Sequence, residues 1–252
     1  MGCAVITGAS SGLGMEFAIQ LSRVFPSVQE IWLIARRAER LEALASRLPG
    51  LAIRRVSADL TDAAGLSVLQ SQLDESGVQV ELLINCAGCG YLDDFDEAAL
   101  DTQLRMVDLN VRALTAVTRI VLDHMPAGGR IINISSIASF VPTPRMTVYS
   151  ASKSYVSAFS RGLNEELRKR GISVTAVCPG PMRTEFLALA GITGRSKAFD
   201  WLPYCDPAAV AENALAAAKA RRAVYTPCAL YKFYRVLSGI VPHALLVKIT
   251  KT

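Results

Sequence analysis

Thr7-Gly8-Ala9-Ser10-Ser11-Gly12-Leu13-Gly14 separates a short apolar run, 3–7, from a segment of helical periodicity, 13–25. Glycines let the backbone turn tightly and come close to a diphosphate, which the N-terminus of the following helix then stabilises. The spacing is G-x-x-x-G-x-G rather than the commoner G-x-G-x-x-G, and a glycine turn alone serves structure as readily as binding. Its strand–turn–helix setting favours a dinucleotide.

The same alternation runs down the chain. Apolar runs at 30–35, 52–57, 80–85, 130–135, 173–178 and 223–226 alternate with helical patterns at 39–48, 63–73, 100–124, 148–170 and 207–220. Seven strands separated by helices imply an α/β fold: a doubly wound, seven-stranded parallel sheet covered on both faces, with right-handed crossovers. No repeat, low-complexity tract or linker interrupts it, so a single domain over 1–252 is expected.

Composition narrows the function classes. With 51% apolar and 19% charged residues the chain can bury a sizeable core. Net charge is +5, but 229–252 holds Lys232, Arg235, Lys248 and Lys251 with no Asp or Glu, leaving +1 for the rest. A nearly neutral body argues against nucleic acid as a partner. No run of about 18 apolar residues and no signal sequence is apparent, which points to a cytoplasmic protein. Cys86-Ala87-Gly88-Cys89 has metal or redox spacing but no second Cys/His pair, so no metal is expected. His124 and His243 stand in no Ser/His/Asp arrangement, which argues against a hydrolase.

Two further features bear on chemistry. Tyr149 and Lys153 are four apart in a helical segment, so they share a face, and an ammonium beside a phenol is expected to lower the phenol's pKa toward usefulness as an acid/base. At the end of the second strand, Ala35-Arg36-Arg37 stands where an enzyme preferring NAD places an acid for the ribose 2′-hydroxyl. Two cations there suit a 2′-phosphate and favour NADP(H) over NAD(H). The bland readings are a half-exposed helix face and a solvated helix start.

Taken in order, TGASSGLG (7–14), Asp59-Leu60, NCAG (85–88), Asn110 in LNV, NISS (133–136), YSASK (149–153) and PGPMRT (179–184) make the sequence resemble the short-chain dehydrogenase/reductase family over residues 3 to about 228. The resemblance implies a Rossmann-type sheet and a tetrad of Asn110, Ser136, Tyr149 and Lys153. Ser135 or Ser136 fits the hydroxyl donor, and the family interval to Tyr149 selects Ser136. In that tetrad Ser136 holds the substrate oxygen, Tyr149 exchanges its proton, Lys153 steadies the phenolate and grips the nicotinamide ribose, and Asn110 holds a relay water. The resemblance also places the cofactor along Gly8, Ser10, Ser11, Gly12, Leu13 and Gly14, with Asp59 and Leu60 near the adenine. Asn85, Ala87 and Gly88 floor the site. Pro179 and Gly180 steer the chain over the strand ends, Met182 lies near the nicotinamide, and Thr184 bonds its carboxamide or a phosphate.

Residues 185–203 are then expected to form a substrate lid. Its apolar side chains, Phe186, Leu187, Leu189, Ile192, Phe199, Trp201 and Leu202, point to a hydrophobic ketone or secondary alcohol, steroid-like or 3-oxoacyl. The amphipathic extension 229–252 is expected to pack on the lid or a neighbouring subunit, with a membrane surface as the less favoured partner. The family resemblance implies a homodimer or homotetramer through helices near 100–125 and 147–170. Rival readings are a non-catalytic dinucleotide-binding regulator and a nucleotide-sugar epimerase or dehydratase; the complete tetrad argues against the first, and the glycine spacing and chain length against the second.

Overall fold

In a strand buried on both faces, successive side chains must satisfy two separate cores. The first strand does this in the computed structural model of the protein, which describes residues 2–196, 199 and 201–250. In β1 (Gly2–Thr7) all six residues are buried; Ala4 and Ile6 join one apolar cluster while Cys3 and Val5 join the other. β2 (Val28–Ala35) splits likewise, Ile31 and Leu33 to the first cluster and Trp32 and Ile34 to the second.

With β3 (Ala52–Ser57), β4 (Gln79–Asn85), β5 (Arg130–Ile134), β6 (Ser173–Val177) and β7 (Val224–Tyr225), these strands form one sheet in the order β3-β2-β1-β4-β5-β6-β7, every pair parallel. The chain order reverses beside β1. An open parallel sheet leaves a crevice there, beyond the carboxyl ends of β1 and β4.

One face is covered by α1 (Gly12–Val24), α2 (Ala38–Ala45) and α8 (Pro207–Lys219), through Phe17, Leu21, Leu41 and Leu215. The other carries α3 (Ala63–Ser76), α4 (Leu100–Val107), α5 (Leu114–Leu122) and α6 (Thr147–Glu166), with Leu69, Leu73, Val117 and Val121 buried against the sheet. The continuous helix expected over 100–124 is instead broken by a π-helical turn at Asp108–Ala113. A wide turn of this kind re-aims one side chain, and here it carries Asn110. α7 (Glu185–Leu189) follows β6, and the chain closes with α9 (Ala229–Ser238) and α10 (His243–Ile249). Of the expected lid and tail, Lys197, Ala198, Asp200, Lys251 and Thr252 lie outside the described residues.

Candidate active site

The crevice beyond β1 and β4 is a cavity of about 710 Å³ that extends over the strand ends to the C-terminal helices. Its floor depends on glycines. Gly8 and Gly12 have φ of +69° and +53°, a region that favours glycine, and a Cβ on Gly14 would stand 2.2 Å from the Gly8 carbonyl oxygen. Thr7, which heads the motif but was assigned no role of its own, locks this turn: its Oγ1 accepts from the amides of Cys86 and Ala87, both at 3.1 Å.

Ser11 caps α1 without a side-chain bond, and the first turn of that helix has no acidic residue. Its amides and partial positive charge therefore face the groove unneutralised, as an anion site requires. Both serines of the loop instead accept from Arg37: Nε and Nη2 reach Ser10 Oγ at 3.3 and 3.0 Å, and Nη2 reaches Ser11 Oγ at 2.9 Å. Arg36 stands 3.6 Å from Asp59, whose carboxyl is also met by Arg105 at 3.2 Å. Burial works to raise the Asp59 pKa, but bonds from Thr61 and the two arginines hold it below the usual range. A glycine cradle, an open helix terminus and a cationic rim together fit a dinucleotide carrying an extra phosphate.

At the other end lies the chemical group. Tyr149 and Lys153 are 8% and 6% exposed. Ser136 hydrogen-bonds the phenol while its own oxygen accepts from Ala138 N at 3.1 Å, so it is both a cap and a donor to the site. Lys153 Nζ lies 5.8 Å from the Tyr149 ring centroid and donates to Ile134 O at 2.9 Å, leaving two ammonium protons for other partners. The lowered phenol pKa expected from that neighbour is not what the geometry produces. Burial pushes Tyr149 up to about 12, with Ser136 pulling against it, and pushes Lys153 down to about 8. Desolvation disfavours both charged forms, and without a direct contact the ammonium does not offset it.

The predicted cofactor residues line the groove, with one correction: Asn85 is buried below it, its amide donating to Thr118 Oγ1 and Asn133 Oδ1, both at 2.9 Å. Asn110 is also withdrawn from the surface. Its Oδ1 accepts from Cys89 N at 2.9 Å, and its Nδ2 donates to Cys89 O at 2.8 Å and Ser152 Oγ at 3.0 Å. It approaches Lys153 across Gly88, where an added Cβ would lie 3.1 Å from Asn110 Oδ1 and 3.3 Å from Lys153 Nζ. Trp201 is turned outward, 89% exposed, instead of into the pocket with the other apolar residues of its segment.

Sequence reasoning missed two contributors. Glu185 accepts from Arg37 Nη1 at 3.0 Å and from Arg40, bridging α7 to the end of β2; those bonds hold its carboxyl at about 2. The tail supplies Leu230, Tyr231 and Tyr234 to the pocket wall. Tyr231 fits where only glycine is tolerated, since a Cβ on Gly180 would meet its ring at 2.2 Å, and its hydroxyl donates to Pro203 O at 2.6 Å. The aromatic spacing of 231 and 234 was the available signal.

The lysine's environment has a measurable consequence. A lysine whose folded pKa lies below its unfolded one costs stability while both states are protonated. That cost is relieved as pH rises from about 8 to the ordinary 10.5. Lys153→Met is therefore expected to be more stable than the parent at pH 7, by on the order of 2 kcal/mol after losing the bond to Ile134. The advantage should shrink toward pH 10 in urea titrations; a gap that does not change with pH refutes the assignment.

A parallel doubly wound sheet with an anion cradle at its switch point and a buried tyrosine–serine–lysine group beside it defines a dinucleotide-dependent oxidoreductase. Comparison with known proteins gives the family. The short chain dehydrogenase family matches residues 2–191, and the chain belongs to it. A very-long-chain 3-oxoacyl-CoA reductase of Anas platyrhynchos is 33% identical over 186 residues, 70% of this chain and 58% of that protein. A serine 3-dehydrogenase of Agrobacterium fabrum is 33% identical over 204 residues, 79% of each. A short-chain dehydrogenase from Sphingobium yanoikuyae, solved in complex with NADPH, superposes with a TM-score of 0.82 at 33% identity, over 95% of this chain and 93% of that one.

Proposed function

We propose that this oxidoreductase uses NADP(H) to reduce a hydrophobic ketone, or to oxidise the corresponding secondary alcohol, of long-chain 3-oxoacyl or steroid-like type. The observation that carries this reading is the position of Ser136, Tyr149 and Lys153 where the polar groove meets an apolar chamber. Among the described residues, the charged ones lining the cavity all belong to the cofactor half or, as Lys153, to the catalytic group. Beyond Tyr149 the wall is Met146, Phe186, Leu189, Ile192, Leu202 and Tyr234. A zwitterion such as serine needs a charged partner on desolvation, and among the described residues this wall offers none. The likeness to the Anas reductase and to the NADPH-bound Sphingobium enzyme supports the same reading.

A nicotinamide held in the groove supplies or accepts the hydride at the carbonyl carbon. Everything else falls to the chain. Arg36, Arg37 and Ser10 would take the 2′-phosphate, the amides at the start of α1 the diphosphate, and Lys153 the nicotinamide ribose. Ser136, whose oxygen is occupied by the Ala138 amide, directs its proton at the substrate oxygen. Tyr149, neutral across the physiological range, gives its proton to that oxygen as the C–H bond forms, so ketone becomes alcohol and the tyrosine is left as phenolate. The nearby Lys153 ammonium stabilises that phenolate, and Asn110, across Gly88, positions the path by which the proton is restored. Residues 185–203 would cover the substrate. The exposed Leu100, Leu104 and Val107 on α4 and Tyr155 on α6 support pairing of two copies there.

NADPH oxidation against 3-oxoacyl thioesters, steroid ketones and small polar ketones, with serine oxidation in parallel, tests the proposal. Apolar substrates should exceed small polar ones by roughly 10²-fold in kcat/KM, the gain from several buried methylenes. Preference for serine over every apolar substrate would overturn it.

A further inference from the structure

We propose that α9 and α10 seat the protein on an anionic membrane surface with the mouth of the apolar pocket turned toward the lipid. The inner face of α9 is committed: Tyr231 and Tyr234 wall the pocket, and Arg235 donates to Thr226 Oγ1 at 3.2 Å. Its outer face is not. Leu230, Phe233 and Val236 recur at a spacing of three, so they form one stripe along the helix; the exposed Ile240 just past its end and Leu245 on α10 extend the apolar surface. They are well exposed, Phe233 at 64% and Ile240 at 76%. Trp201, two residues before the Pro203 carbonyl that Tyr231 holds, and Leu189 on α7 are exposed as well. Leu189 and Leu230 also line the cavity, so apolar exterior and apolar pocket are continuous at the mouth.

The charges select the occupant. Lys232 and Lys248 flank the stripe and are exposed, and 229–252 contains no acid. An apolar stripe edged with cations, and an outward tryptophan beside it, match the interface of a bilayer with anionic headgroups. Among the described residues no helix is long and apolar enough to cross a membrane, so the contact is superficial. A second copy fits less well, because two-fold pairing sets this cationic, acid-free tail against the same tail of its partner, with no acid to pair its lysines. Docking stands on the surface alone; delivery of a lipid-dissolved substrate through the mouth rests on the proposed function.

The test is sedimentation of the full chain with vesicles of equal parts phosphatidylcholine and phosphatidylglycerol, against phosphatidylcholine alone, without substrate. Binding to the mixed vesicles should be roughly ten-fold stronger, weaken in high salt, and shift the emission of Trp201, Trp32 being buried. Lys232→Glu and Lys248→Glu should each cost at least about five-fold. The double variant Phe233→Glu/Ile240→Glu, at two positions that do not line the pocket, should lose vesicle binding by roughly ten-fold or more while reducing a water-soluble ketone at the parent rate. Absence of binding to the mixed vesicles, binding unaffected by the double variant, or a double variant whose main effect is to convert a dimer to a monomer would each overturn the docking proposal. None of these outcomes bears on the reductase reading, which the substrate panel decides separately.

Discussion

Tyr149→Phe should lose about 10²- to 10⁴-fold in turnover with little change in affinity for the cofactor. The ring is buried and packs against Phe186 with centroids 5.7 Å apart, and phenylalanine preserves that contact. What disappears is the proton and the bond with Ser136. The nicotinamide half of the groove keeps Lys153, which is fixed by the Ile134 carbonyl and not by the tyrosine. A loss confined to kcat, with NADPH titration unchanged, distinguishes a proton donor from a packing residue. Stability adds a second readout. Burial holds the folded phenol protonated up to about 12, whereas the unfolded one ionises near 10. The folded state therefore binds more protons between those values, and the parent loses stability as pH rises through them. The phenylalanine variant lacks that loss, so it should gain on the parent above pH 10 in denaturant titrations. A Tyr149→Phe protein with parental turnover would remove Tyr149 from the role of proton donor and place the acid elsewhere in the site.

The parts of this site that depend on backbone position were legible in the sequence. The glycine turn, Asp59, Gly88, Ser136 and Met182 all follow strand ends, and in a parallel sheet those ends converge on one edge whatever the helices between them do. Side-chain direction was less legible. Asn85 and Asn110 belong to recognisable motifs, yet one turns below the groove to Thr118 and the other is aimed at Cys89 by a π-helical turn that no hydrophobic spacing announces. The sign of the tyrosine shift was missed for a related reason: spacing shows that a lysine is near, but burial, which depends on the whole chamber, is the larger effect. Glu185 was out of reach because its partner Arg37 is 148 residues away. The tail was half legible. Its amphipathicity was evident, but that the aromatic side of α9 would close the pocket and leave the aliphatic side outside follows only from the fit of Tyr231 over Gly180.

Arg37→Ala should lower kcat/KM for NADPH by about 10²-fold and leave the value for NADH nearly unchanged. The arginine is already oriented: its guanidinium fork is pinned by Ser10 and Ser11 on one side and by Glu185 on another, so little rotamer freedom remains to be lost when a phosphate arrives. Charge-assisted bonds to a phosphate are worth about 1.5 to 3 kcal/mol each, and even one such bond accounts for a factor of ten or more. Arg36 should matter less, because its side chain is 59% exposed against 36% for Arg37 and it lacks the serine bonds that pre-orient Arg37, and Arg36→Ala is expected to cost only a few-fold. The bridge to α7 gives a prediction of opposite sign. While Glu185 accepts from Arg37 and Arg40, its carboxylate competes for the cation that a 2′-phosphate would use. Glu185→Gln removes that charge, so the KM for NADPH should fall a few-fold while that for NADH stays put. Steady-state kinetics with both cofactors at two ionic strengths checks the pair of variants, since added salt should raise the NADPH KM of the parent more than that of Arg37→Ala. If Arg37→Ala weakens NADH as much as NADPH, the arginine is holding the glycine loop through its serines and not reading the phosphate.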